Sequence, residues 1–194
     1  MLTPERTALV LLAAGGSQRF GVHDKLAMPL LGKPLALHAV DVLEDLPFRM
    51  RVAVVSETDV DFAAFGYQAV HNVEPHIGQS RSLCLGVSAA RDAGAEAVLV
   101  ALADMPLVTA AHVRGLFGAA EEDAATIVAS SDGVKPCPPA LFGRHWFAAL
   151  LDLHGDHGAR DLIRRGRLVV TSPAELADVD TPEDLEQLCA LYGP

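Results

Sequence analysis

Leu9 to Ala14 reads LVLLAA, an apolar run with no polar residue to mark an outer face, closed by Gly15 and Gly16. A strand that is apolar on both sides must be covered on both sides, the condition of a strand inside a parallel sheet. The remaining chain agrees. Strands are predicted at Ala8 to Ala13, Arg51 to Val55, Gln68 to His71, Ala97 to Leu102, Thr126 to Ala129 and Leu168 to Thr171. Helices are predicted at Pro34 to Leu46, Asp59 to Phe65, Ser80 to Ala93, Ala110 to Ala120, Arg144 to Leu153, Ala159 to Arg165 and Pro182 to Leu191. This alternation specifies an α/β fold: a mostly parallel sheet, helices on both faces, right-handed crossovers. With 194 residues, 51% of them hydrophobic, the chain is long enough for one domain with its own core, and no linker divides 1–194. Ser130 to Pro139, rich in Pro, Gly and Ser, is expected to be irregular.

In such sheets ligands sit beyond the carboxyl ends of the strands. That directs attention to Gly15, Ser56, Asp104 and Asp180, each just after an apolar run. Gly15, Gly16 and Gly21 leave a loop with little side-chain bulk, whose N–H groups can close around phosphate oxygens. Arg19 and Lys25 add two cations. The spacing is not that of a P-loop, since Val22 stands where lysine should follow Gly21, nor of the G-x-G-x-x-G dinucleotide loop. The competing interpretation is an ordinary turn carrying two solvated charges.

Ala97 to Asp104 reads AVLVALAD, a strand ending in a carboxylate, with Pro106 to turn the chain. A carboxylate there, facing a triphosphate, suits Mg2+, which takes one or two carboxylates with phosphate oxygens and water; alone, it could equally be a turn-maker. Gly78 to Ala90 reads GQSRSLCLGVSAA, with Leu83, Val87 and Ala90 on one helical face and a polar start, where Ser80 is expected to cap. In GDHGAR, Gly155 to Arg160, Asp156 can serve simply as an N-cap; His154 and His157 lack a third ligand for zinc. In DVDTPEDL, Asp178 to Leu185, Thr181, Pro182 and Asp184 make a helix start, which leaves Asp180 unexplained.

The net charge of −10 makes nucleic acid and anionic membranes poor partners. Cys84, Cys137 and Cys189 form no C-x-x-C pair, as expected of reduced thiols in a cytoplasmic protein. No apolar run approaches the roughly 20 residues of a membrane helix. Arg6 with Thr7 to Ala14 faintly resembles a signal peptide, but Glu5 and the shortness of the run favour a strand.

The stretch L-A-A-G-G-S-Q-R-F-G from Leu12 to Gly21, followed by Lys25, resembles the signature loop of the molybdenum-cofactor nucleotidyltransferases, within the Rossmann-like nucleotidyltransferases. L-A-D-M-P, G-Q-S-R-S, G-D-H-G-A-R and D-V-D-T-P resemble further motifs of that family, in its order. The resemblance implies a three-layer α/β/α fold and Mg2+-dependent transfer of a nucleoside monophosphate to a phosphorylated acceptor. It implies that Ala13, Ala14, Gly15, Gly16, Ser17, Gln79 and Ser82 bind the nucleotide, to which Ser56 is added from its place after a strand, and that Arg19, Lys25 and Asp104 are catalytic. It further implies Asp104 and Asp180 at the metal, and Asp156 and Arg160 on the acceptor side. Ala13-Ala14-Gly15 resembles the cytidylyl rather than the guanylyl branch, implying CTP and molybdopterin, with a molybdoenzyme or its maturation chaperone as a partner. Two alternatives stand: a related transferase with another phosphate acceptor, and a non-catalytic nucleotide-binding protein of the same fold.

Overall fold

The computed structural model describes residues 2–15, 18–21, 23–121, 123–155 and 159–193. Strand β1 (Thr7–Ala13) is buried along its whole length. Its successive side chains enter different cores. Leu9, Leu11 and Ala13 face helices α1 (Leu35–Glu44) and α3 (Ala110–Ala119); Ala8, Val10 and Leu12 face α2 (Gln79–Asp92), α4 (Phe147–Leu151) and α5 (Arg160–Ile163). The period-2 geometry of a strand thus divides one apolar run between two layers of helix.

With β4 (Met50–Val55), β5 (Gln68–His71), β6 (Ala97–Leu102), β7 (Ile127–Ser131), β8 (Pro136–Gly143) and β9 (Arg167–Val170), β1 forms a seven-stranded sheet, order β5-β4-β1-β6-β8-β7-β9. All pairings are parallel except those of β8, which runs antiparallel to β6 and β7. Short strands β2 (Pro29–Leu30) and β3 (Lys33–Pro34) make a separate hairpin. The helix α6 (Pro182–Tyr192) packs with it in a third apolar cluster of Phe20, Leu30, Leu35, Val179, Leu185 and Leu188. Thr181 and Asp184 form a capping box at the start of α6, as its sequence predicts.

Several expectations need correction. Ser130 to Pro139 is irregular only at residues 132–135, the bend between the end of β7 and the start of β8. Its prolines are tolerated because only Ala140 to Gly143 pair with β6, and the register on the β7 side shifts between Ala129 and Ser130. The helix at Asp59 to Phe65 is a single 3-10 turn, Phe62–Phe65, ended by Gly66 at φ +77°. Residues 144–146 likewise form a 3-10 turn ahead of α4. Helix α2 begins beside Gly78, at φ +112°, without a side-chain cap, so Ser80 does not cap it. Asp180 follows no strand; residues 171–180 run as turn and extended chain.

Candidate functional site

Register places the ends of β1 and β6 side by side: Leu12 pairs with Leu102, and Ala103 N–H donates to Leu12 O at 3.0 Å. Asp104 therefore emerges beside Ala14 and Gly15. Ala13 and Ala14 are buried, one in each core, so what they present at the strand end is chiefly backbone. Gly16, Ser17 and Asp156 lie outside the described residues.

Asp180 reaches the same edge by a route the sequence did not announce. Val179 N–H donates to Asp104 O at 2.9 Å, and its side chain is fully buried among Phe20, Leu185 and Leu188. Phe20, next to Arg19, belongs to that cluster, so one apolar contact draws the loop after β1 and the segment before α6 together.

Lys25 opens a 3-10 turn, Lys25–Ala27, capped by Asp24. The Asp24 carboxylate accepts from Leu26 N–H at 3.0 Å, Thr58 Oγ1 at 2.6 Å and Asp59 N–H at 3.0 Å. This clamps the loop after β1 to the loop after β4. The Lys25 side chain is only 8% exposed, with Nζ 2.7 Å from Asp104 Oδ2 and 3.6 Å from Asp180 Oδ1. Arg19 Nη1 donates to Asp180 Oδ2 at 3.0 Å. The result is an alternating chain of charges: Arg19, Asp180, Lys25, Asp104. Burial pushes the Asp104 carboxyl up from its ordinary range, the Lys25 ammonium pulls it back, and Asp178 adds a smaller upward push. Asp104 Oδ1 is buried with no hydrogen-bond partner among the described residues.

A cleft of about 580 Å³ opens beside this cluster on the α2 side of the sheet. Leu12, Val100, Leu102 and Phe142 form its floor; Gln79 from α2, Arg160 from α5, Lys135 and Asp178 stand around it. Asp178 and Asp180 flank the buried Val179, so one lines the cleft while the other faces Lys25 and Arg19. Ser56 follows β4, half-buried, at the same edge of the sheet. Ser82 is buried, its hydroxyl accepting from Asn72 Nδ2 at 2.9 Å. A second hollow, about 210 Å³ between Thr126, Trp146 and Arg165, contains none of the sequence-predicted residues.

Sequence reasoning missed Asp24 and Asn72. Asp24 carried a signal, since an aspartate before a short polar-to-apolar transition is a capping type. Asn72 carried none: its role depends on β5 ending beside α2, where its side chain holds both Ser82 and Glu74 N–H.

A parallel sheet whose carboxyl edge brings a glycine-bounded loop and its two cations against two carboxylates has the architecture of an α/β nucleotidyltransferase. Residues 9–171 match the model of the MobA-like NTP transferase domain, and the chain belongs to that family. It is 31% identical over 198 residues to the purine catabolism protein PucB of Bacillus subtilis (strain 168), covering 92% of this chain and 94% of that one. It is 26% identical over 186 residues to a molybdenum cofactor guanylyltransferase of Shewanella sediminis (strain HAW-EB3), covering 92% and 93%. Among solved structures, the Mycobacterium sp. strain JC1 homolog of Mycobacterium tuberculosis rv0371c superposes with a TM-score of 0.78 at 27% identity, covering 96% of both chains.

Proposed function

We propose that this nucleotidyltransferase, acting as one domain, moves CMP from CTP to a phosphorylated acceptor, molybdopterin, and releases pyrophosphate. The observation that carries the reading is the convergence of Arg19, Lys25, Asp104 and Asp180 at the carboxyl edge of β1 and β6. The backbone after Ala13 and Ala14 and the polar start of α2 at Gln79 hold the triphosphate; Ser56 adds a contact from β4, and Ser82 acts by fixing Asn72 and the loop before α2. Arg160, across the cleft, holds the acceptor phosphate.

Asp104 and Asp180 offer hard oxygen donors, and the Oδ1 of Asp104, buried with no hydrogen-bond partner among the described residues, is the kind of group a cation satisfies. The pair fits Mg2+, which takes few carboxylates and completes its shell with phosphate and water. When bound, the metal supplies polarisation of the α-phosphate. The attacking phosphate monoester, with a second pKa of about 6, is already largely dianionic near neutrality, so no general base is required. The chain's own contribution is alignment of the two phosphates and neutralisation of charge on departing pyrophosphate by Arg19 and Lys25.

The choice of CTP rests on the Ala13-Ala14-Gly15 pattern, and a relative named for purine catabolism is compatible with a cofactor used by xanthine-dehydrogenase-type enzymes, which oxidise purines. The guanylyltransferase relatives favour GTP as a second reading. Incubation with Mg2+, molybdopterin and each of the four triphosphates, with products weighed by mass spectrometry, separates them. A cytidylyl product is expected. A guanylyl product alone establishes the second reading, and no nucleotidyl product with any triphosphate overturns both for this acceptor.

A further inference from the structure

Lys25 stands where the two carboxylates of the site meet. Its ammonium is 2.7 Å from Asp104 and 3.6 Å from Asp180, on a side chain almost wholly withdrawn from water. Without a cation between them these carboxylates would repel in a partly dehydrated pocket, where screening is weak. We propose that Lys25 is a stand-in cation: it holds the place of the divalent metal at Asp104 and Asp180 until a triphosphate arrives, so that metal binding is conditional on nucleotide. The inference rests on the assignment of Asp104 and Asp180 as the metal-holding pair.

Charge bookkeeping gives the order. A divalent cation using both carboxylates must share oxygens the ammonium already holds, and it meets a like charge within a few ångströms of them. Expelling Lys25 from the site takes a side chain only 8% exposed away from two carboxylates it holds at 2.7 and 3.6 Å, and breaking a buried ion pair is strongly unfavourable. A triphosphate removes both obstacles, because its oxygens give Lys25 a new anionic partner and supply the metal with further ligands. The mechanical requirement is small. The backbone at Lys25 is clamped through Asp24 to Leu26, Thr58 and Asp59, so only the four-carbon stem has to swing. Arg19, 65% exposed and bonded to the outer oxygen of Asp180, can follow the same phosphate without leaving a buried position.

The test measures Mn2+ binding by electron paramagnetic resonance at pH 7 to the full chain, with and without α,β-methylene CTP or its GTP counterpart, for wild type, Lys25→Met and Asp104→Asn. The analogue is expected to tighten Mn2+ binding to wild type by at least about tenfold, within the usual range of coupling between sites. Lys25→Met is expected to bind Mn2+ alone at least about tenfold more tightly than wild type and to gain less from the analogue. Equal Mn2+ affinity of wild type with and without either analogue overturns the inference, and this arm stands even if Lys25→Met does not fold. A folded Lys25→Met chain no tighter than wild type overturns it too, leaving the metal pair intact. Analogue-dependent Mn2+ uptake unchanged by Asp104→Asn overturns the assignment of the pair itself, and the inference with it.

Discussion

Asp104 is held between opposing influences: burial disfavours its charge, and Lys25, at 2.7 Å, restores it. An isosteric amide keeps the shape and removes the anion that pairs with Lys25 and that, in the proposed mechanism, holds the metal. Asp104→Asn is therefore expected to lower turnover at saturating triphosphate by at least about a hundredfold, the rate equivalent of about 3 kcal/mol of lost charge stabilisation. Circular dichroism should show an unchanged fold, and steady-state pyrophosphate release measures the loss; wild-type turnover in the variant would remove Asp104 from the chemistry. Asp24 acts one step back from the reaction. Asp24→Ala deletes the cap on the turn bearing Lys25 and the two hydrogen bonds that fix that turn to the loop after β4. About 1–3 kcal/mol of stability should go with them, seen in a urea melt, together with a weaker apparent affinity for triphosphate.

At the scale of elements, helix α2 lies so close to β1 that only glycine fits at position 86. A Cβ there would meet Val10 Cγ1 at 2.3 Å and Val54 Cγ2 at 3.1 Å. Gly86→Ala gains helix propensity but forces α2 away from the sheet, so a net loss of about 1–3 kcal/mol is expected by chemical denaturation. An unchanged midpoint would mean the interface yields freely. This contact was beyond the reach of sequence reading, because it depends on which strand residues face the helix. The apolar strands were legible, since an unbroken run such as AVLVAL at β6 has few other uses. Strand β8 was not. Pro136, Pro138 and Pro139 read as punctuation, and only the sheet shows that they lie past the last pairing with β6, beside the register shift on the β7 side. The site divides the same way. The loop after β1 and the end of β6 could be read from their residue order, whereas the approach of Asp180 to Lys25 follows from the burial of Val179 against Phe20, a contact across most of the chain's length.

The whole molecule depends on its layers being pinned to one another, and two of the pins are imidazoles, His112 buried and His38 half-buried. His112 of α3 bonds Ser130 of β7 at 2.8 Å, and Ser130 Oγ donates to Pro139 O at 2.7 Å, so His112 Nε2 must carry the proton it shares with Ser130. His38 of α1 donates from Nε2 to Leu30 O at 2.8 Å, tying the helix to the small hairpin. Burial lowers both from the ordinary value of 6.5; Glu175 opposes this at His112, while at His38 the Leu30 carbonyl and Asp41 oppose it and Lys33 reinforces it. A histidine with a depressed folded pKa binds protons more readily when unfolded, so its contribution is complete above about pH 6.5 and is lost as pH falls below that. The carboxylates held low by hydrogen bonds, Glu175 and Asp184, have ordinary values of 4.5 and 3.8, and their contributions are lost only as pH falls below those values. Across the interval from pH 7.5 to 5.5 the imidazoles are read in an Asp104→Asn background, because burial raises the Asp104 carboxyl and gives it a pH dependence of the opposite sign. Urea midpoints should fall across it at constant m, and His112→Asn should flatten part of the slope while lowering stability at pH 7.5. A midpoint independent of pH over that interval would show that neither ring resists protonation in the fold.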